Sequence, residues 1–163
     1  MSLEDLEKRI KVLEDIEEIK RLKYLYCYYC DNVVGQVSGG VDADTIASLF
    51  TKDAVWDGGI FGRSEGREEI RGFFQRVPQV LTYAFHMVMN PIIEVNDDTA
   101  TGIWYILEPC THAEGNRAVW QAARYDDEYV RVDGEWKVQN LKLDWRFITP
   151  FDEGWVKTRF TVA

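Results

Sequence analysis

Residues 99–147 read TATGIWYILEPCTHAEGNRAVWQAARYDDEYVRVDGEWKVQNLKLDWRF. This stretch holds three runs of aromatic and β-branched residues, which favour β-strands. A similar run precedes them, so the predicted strands are 81–95, 99–107, 118–130 and 136–147. Asn96-Asp97-Asp98 and Asp133-Gly134 are hairpin-turn sequences, and a longer loop is expected at 109–117. The sequence therefore predicts a four-stranded antiparallel meander.

Apolar residues near the N-terminus recur at helical spacing. Leu3, Leu6, Ile10 and Leu13 step by three, four and three residues, the spacing of coiled-coil positions a and d. The apolar pattern continues beyond them, so we predict one long helix over 3–33. Two arrangements stay open: the helix lies on its own domain, or it forms a short coiled coil with residues 1–23 projecting.

Two shorter helices precede the meander. Asp42 is a good N-cap for a helix over 43–50, and a third helix is predicted over 67–76, with Pro78 ending it. Ala54-Val55-Trp56 between them predicts a short strand. Helices grouped before strands indicate an α+β class, in which a curved sheet wraps three helices and encloses a pocket. The length of 163 residues predicts one domain spanning 1–163.

Charge limits the classes of partner. The chain has 28 acidic and 19 basic residues, a net charge of −9, which disfavours nucleic acids and anionic membranes. Without an export signal or an apolar stretch long enough to span a bilayer, the sequence predicts a cytoplasmic protein. Cys27 and Cys30 form a C-x-x-C pair, but no second pair accompanies it. We interpret them as small core residues and predict no metal site.

Four polar residues are candidates for chemistry. His86 falls within a predicted strand whose two faces both read as buried, and a buried imidazole needs a hydrogen-bond partner. Asp31 ends the first helix, where the helix dipole disfavours an anion. Arg146 could pair with Glu108 and present a held cation to a ligand. The ordinary explanations are a core histidine, a solvent-facing acid and a surface ion pair. We expect His112, in the 109–117 loop, to face water or the pocket rim.

Several motifs together resemble the NTF2-like superfamily of SnoaL-like domains. The resemblance runs over roughly residues 10 to 150. It implies a cone-shaped α+β barrel of three helices and a strongly curved sheet. The matching motifs, in chain order, are Ile19-Lys-x-Leu-x-Tyr-x-x-x-Tyr28 followed by Asp31, Leu49-Phe-Thr-Lys-Asp-Ala-Val-Trp-Asp57, the strand histidine, Asp98-Thr-Ala-Thr-Gly-Ile-Trp-Tyr105 and Tyr129-Val-Arg-Val-Asp-Gly-Glu-Trp-Lys137.

Within that superfamily the chain is most similar to bile-acid 7α-dehydratases, scytalone dehydratases and hexachlorocyclohexane dehydrochlorinases. This similarity implies an Asp31–His86 pair and a role for Tyr26, five residues before the aspartate. It also implies a role for Arg146, and Glu108 stands where the bile-acid enzyme has an aspartate. Tyr26 and Asp31 lie about 140° apart around a helix. Tyr24 and Tyr28 therefore stay open as the better-placed phenol, and a Gly35–Val41 insertion could alter the pocket mouth.

The resemblance implies a lyase of the dehydratase type, or an isomerase, that acts on a small apolar polycyclic or aromatic molecule without a cofactor. His86 would be the general base and Asp31 would orient it. Tyr26 would donate a hydrogen bond, and Arg146, held by Glu108, would fix a polar end of the substrate. Aromatic residues expected to line the pocket are Tyr24, Tyr28, Trp56, Trp104 and Trp120.

The alternative is a non-catalytic module that binds a small ligand or serves as an oligomeric scaffold, like the small subunit of ring-hydroxylating dioxygenases. In that case Asp31 and His86 need not touch, and side chains could fill the pocket. A homodimer or homotrimer is predicted on either interpretation, because a curved aromatic sheet leaves an outer face to be covered.

Overall fold

A computed structural model describes residues 1–32 and 40–161. It shows four helices and seven strands, with short 3-10 turns at Gly59–Phe61 and Glu114–Asn116. The elements, in chain order, are α1 Leu3–Cys30, α2 Ala43–Ser48, β1 Phe50–Asp57, β2 Arg63–Glu65, α3 Arg67–Val80, β3 Leu81–Ala84, β4 Met87–Asn96, β5 Thr99–His112, β6 Arg117–Val132, β7 Glu135–Pro150 and α4 Gly154–Lys157. The predicted α+β class is confirmed.

The seven strands form one sheet in the order β2-β1-β7-β6-β5-β3, and β4 also pairs with β5. The predicted meander appears as the antiparallel pairs β4–β5, β5–β6 and β6–β7. The prediction missed that β1 joins the sheet parallel to β7. Parallel partners are separated by a long crossover, which local sequence patterns do not reveal.

The predicted hairpin turns are present. Asp133 and Gly134 both have positive φ, +52° and +85°, as a tight two-residue turn requires. Asp97, in the turn before β5, has φ +52°. The expected loop at 109–117 is shorter than predicted, because β5 continues to His112 and β6 begins at Arg117.

The predicted strand 81–95 is interrupted at Phe85 and His86, between β3 and β4. Both parts pair with β5 in one register, since Ala84 pairs with Cys110 and Met87 pairs with Leu107. By this register Pro109 on β5 stands opposite Phe85, and it has no N–H to donate to the ladder. His86 therefore lies in a break between strands, where its side chain and backbone are free to make other contacts.

The helices differ from prediction mainly at their ends. The Asp42 side chain accepts the N–H of Thr45 at 3.0 Å, which confirms the N-cap of α2. Pro78 lies inside α3, which continues to Val80 and does not end before the proline. A proline near a helix C-terminus removes a single backbone hydrogen bond, and the helix continues around it.

The first 14 residues of the chain are exposed, and burial in α1 begins at Asp15. The Asp15 carboxylate accepts hydrogen bonds from Arg131 and from Trp136 Nε1, the latter at 3.2 Å. These contacts attach the helix to β6 and β7. The helix therefore lies on its own domain from Asp15 onward, whereas Leu3, Leu6, Ile10 and Leu13 do not pack on it, and the projecting part ends near residue 14, short of residue 23.

Beyond Asp15, α1 packs against the inner face of the sheet through a buried charge. Lys23 Nζ lies 2.8 Å from Asp127 Oδ2 and 3.2 Å from the ring centroid of Tyr125. Tyr129 donates its hydroxyl to the same carboxylate oxygen at 2.7 Å, and Trp104 Nε1 donates to Tyr129 at 3.0 Å. Because both charges are almost fully buried, each depends on the other for compensation.

Within the described residues, no helix is both long and apolar enough to cross a membrane.

Replacing Lys23 by methionine should destabilise the protein by about 3–5 kcal/mol, because Asp127 is then left as an uncompensated buried charge. The double variant Lys23→Met with Asp127→Leu should recover much of that loss. Urea denaturation measures the free energy of unfolding. Lys20→Met, which removes a surface ion pair on the same helix, is the matched control and should change it little. Equal effects of the two single variants would contradict the buried-pair account.

Candidate active site

Asp31 and His86, far apart in sequence, are in direct contact. Asp31 is the C-cap of α1, and its Oδ1 accepts the backbone N–H of His86 at 2.7 Å. The same oxygen lies 2.9 Å from His86 Nδ1. Both side chains are only 12% exposed. The structure thus brings together the two residues that the sequence singled out.

The end of α1 is pinned to the break between β3 and β4. Asn32 and Ala84 exchange two backbone hydrogen bonds, each 3.0 Å long. The Asn32 side chain also donates to the Leu81 carbonyl at 2.7 Å. These bonds hold Asp31 beside His86 and satisfy backbone groups of β3 that do not pair with β5.

Glu108 approaches the other side of the imidazole. By the register on either side of the break, Glu108 on β5 stands opposite His86. Its Oε1 is 3.8 Å from His86 Nε2, and its side chain is buried. The ring therefore lies between two carboxylates, one at each nitrogen.

These carboxylates control the protonation of the site. Burial favours the neutral imidazole, but the negative charges of Glu108 and Asp31 outweigh it and raise the pKa of His86. Burial also raises the pKa of Glu108, in spite of the opposing effect of His86. The arrangement is therefore built to stabilise a positive charge on His86.

An apolar cavity of about 460 Å³ opens beside His86 and Glu108. Its volume falls in the range of small-molecule sites, roughly 300–1,000 Å³. Its walls are rich in aromatic residues, which include Trp56, Phe61, Phe73, Phe74, Tyr125 and Trp145.

Of the three candidate tyrosines on α1, Tyr26 is the one that lines this cavity. Its hydroxyl oxygen accepts a hydrogen bond from Trp56 Nε1 at 3.0 Å. Burial raises the pKa of Tyr26 well above its ordinary value, so the phenol stays protonated. Tyr24 and Tyr28 lie on the outer side of α1 and are each half exposed, so the choice among the three tyrosines falls on Tyr26.

Of the five aromatic residues expected to line the pocket, only Trp56 does so. Trp104 is buried in the core beside Tyr129, away from the cavity. Trp120 lies on the opposite face of β6 from its buried neighbours Val119 and Gln121, because side chains alternate along a strand.

Arg146 lies outside the cavity, contrary to prediction. Ala122 pairs with Phe147 and Ala123 pairs with Trp145, so Arg146 is the extra residue of a β-bulge. Its guanidinium is exposed and lies 3.2 Å from Asp144, not beside Glu108. Leu143 and Trp145 point into the cavity, so the alternating residues Asp144 and Arg146 point away from it.

His112 was also misplaced by the sequence, since it is buried at the end of β5 and not at the rim. Burial and the nearby Arg117 lower its pKa.

Cys27 and Cys30 are buried thiols, as the core interpretation has it, and burial raises the pKa of Cys27 to about 12. The predicted Gly35–Val41 insertion lies largely outside the described residues.

Several cavity residues were not predicted, and the polar ones include Gln121 and Arg76. Gln121 pairs with Glu108 across β5 and β6 and lines the cavity wall. A strand-register argument from Glu108 could have found it. Arg76 lines the cavity from α3, and among the described residues it is the basic side chain that does so. No signal in the sequence separated it from other helix arginines.

Comparison with known proteins identifies relatives of the same fold. Hexachlorocyclohexane dehydrochlorinase 1 of Sphingobium indicum is 32% identical over 110 residues, which cover 64% of this chain and 70% of that protein. The crystal structure of a type 2 hexachlorocyclohexane dehydrochlorinase superimposes with a TM-score of 0.78 at 26% identity, covering 88% and 93% of the two chains.

A scytalone dehydratase-like protein of Novosphingobium aromaticivorans shares the fold, with a TM-score of 0.73 at 20% identity over 85% of this chain and 89% of that one. Residues 11–142 match the family model of a SnoaL-like domain, which is most of the chain. The predicted NTF2-like fold and the resemblance on which it rested are confirmed. The chain belongs to the SnoaL-like domain family.

Proposed function

We propose that this protein is a lyase that removes a proton and a neighbouring leaving group from a small apolar ring compound. The observation that carries the proposal is the 2.9 Å contact between Asp31 and His86 in the wall of an apolar cavity. Such a contact is within the distance required of an oriented acid–base pair.

His86 acts as the base in the proposed step. Its Nδ1–H donates to Asp31, which leaves the lone pair on Nε2. Nε2 accepts a proton from the substrate carbon, and the released electron pair forms a carbon–carbon double bond. The leaving group departs from the adjacent carbon with its bonding electrons. Asp31 and Glu108 stabilise the imidazolium that results.

Tyr26 assists the departure of the leaving group. A hydroxyl group must gain a proton to depart as water, whereas a halide departs as the anion. The Tyr26 phenol is protonated and lines the same cavity as His86, so it is suited to donate a hydrogen bond to the departing atom. The Trp56 N–H, which donates to the Tyr26 oxygen, supports negative charge as it develops there.

The cavity limits the substrate. Aromatic walls favour an apolar ring compound over a charged metabolite. The relatives named as hexachlorocyclohexane dehydrochlorinases suggest a halogenated ring as the first compound to test. Arg76 takes over the role first assigned to Arg146, binding a polar end of a substrate at the cavity wall.

The alternative of a non-catalytic binding or scaffold module is less well supported. It requires no contact between Asp31 and His86 and tolerates a filled pocket. The contact and the cavity favour catalysis instead.

His86→Ala should lower the rate of chloride release from γ-hexachlorocyclohexane, or of water loss from a hydroxylated polycyclic ketone, by about 10²–10⁴-fold. Asp31→Asn should lower the same rate to a smaller extent, since it leaves the base in place but removes its orienting charge. Circular dichroism checks that both variants fold. Full turnover by the folded His86→Ala variant would contradict the assignment of the base.

The pH dependence of kcat/KM should follow the titration of His86. Because Asp31 and Glu108 raise the pKa of His86, the neutral base forms only at higher pH. The rate should thus rise through a midpoint above the ordinary histidine value of about 6.5. Asp31→Asn and Glu108→Gln each remove a negative charge beside the ring, so each should lower the midpoint. A wild-type midpoint below the ordinary value would be inconsistent with this charge arrangement.

A further inference from the structure

The projecting part of α1 carries an unpartnered apolar stripe. Leu3, Leu6, Ile10 and Leu13, here called the N-terminal stripe, are between 39% and 72% exposed. In the described structure, every residue from Met1 to Glu14 is exposed. A helix of this length has marginal stability in water when it packs against nothing. The stripe therefore marks a surface that needs a partner.

The stripe faces away from its own domain. At about 100° per residue, its mean direction lies about 160° from that of the buried residues of α1. Those buried residues include Ile19, Leu22 and Tyr26, which pack into the core. A bend of the helix would not bring the stripe onto the sheet of the same chain. A partner helix would lie on the opposite side of α1 from the domain, so that two domains would not collide.

The helix is already formed where the partner would bind. Ser2 caps it, since its hydroxyl accepts the Asp5 N–H at 3.1 Å and the Asp5 carboxylate accepts the Ser2 N–H at 2.8 Å. Asp15 attaches the other end to β6 and β7 through Arg131 and Trp136. An association at the stripe would therefore not have to meet the entropic cost of nucleating a helix.

We infer that the N-terminal stripe pairs with the same stripe of a second copy of this chain, as a parallel two-stranded coiled coil. Leu3 and Ile10 fall at position a, and Leu6 and Leu13 fall at position d. A β-branched residue at a, as at Ile10, with leucine at d favours two parallel strands. Arg9 falls at position g and Glu14 at position e, so a parallel pair brings each Arg9 next to the partner's Glu14.

The opposite orientation is disfavoured by charge. An antiparallel pair brings position g next to g and position e next to e, which would place the two Arg9 side chains together and the two Glu7 side chains together. The pairing ends after two heptads. Glu17 and Lys20 occupy the next a and d positions, where they form a 2.7 Å ion pair within the same helix.

Sedimentation equilibrium of the full chain over a concentration series tests this inference without any substrate. The wild type should be a dimer, and Leu6→Gln with Leu13→Gln should raise the dimer dissociation constant at least about tenfold. Val12→Gln is the matched control, because Val12 is 41% exposed on the same segment but lies off the stripe. It should leave the dissociation constant unchanged.

Two further variants test the parallel orientation. Arg9→Glu should weaken the dimer, and adding Glu14→Arg should restore it. Leu6→Cys should form a disulfide between copies under mild oxidation, because only a parallel pair in register places residue 6 beside its counterpart. A monomeric wild type, an oligomer that the stripe variants leave intact, or a failure of the charge reversal to restore pairing would each overturn the inference.

Discussion

One carboxylate joins the two halves of this fold. Asp31 ends α1, and its carboxylate accepts the backbone N–H of His86 and contacts the ring nitrogen Nδ1 of the same residue. His86 lies in the break between β3 and β4. The adjacent bridge between Asn32 and Ala84 holds the same junction. The helix end thus satisfies the backbone N–H of His86 and both backbone groups of Ala84. The catalytic geometry that we propose is thus part of the contact between helix and sheet.

The buried charged residues of this domain have two different roles, one in packing and one at the candidate site. The buried Lys23–Asp127 pair is enclosed by aromatic rings and stabilises the packing of α1 on β6. Near the cavity the charges are not matched one to one, because two carboxylates flank one imidazole and favour its charged form. A site of this kind stabilises the positive charge that proton abstraction would create on His86. The same residues would contribute little to a domain that only bound an apolar ligand.

Much of the fold follows from local pattern, and the errors arise where local pattern fails. The strand runs and the Asp133-Gly134 turn predicted the meander. Asp31 and His86 were noticeable because each was a costly polar residue in an apolar setting. The outward position of Arg146, in contrast, depends on which face of β7 the fold encloses, and the strand sequence alone does not encode that. The position of His112 depended on how far β5 extends, and strand ends are set by tertiary contacts.

The most direct test of this account is the protonation of His86, observed by ¹⁵N NMR on labelled protein. The chain has only two histidines, so a His112 variant assigns the signals. We expect the neutral ring to carry its proton on Nδ1, toward Asp31, with Nε2 free to accept one. We also expect its pKa to fall when Asp31 is replaced by asparagine. A neutral ring protonated on Nε2, or a His86 pKa that does not change when Asp31 is replaced by asparagine, would contradict the central claim.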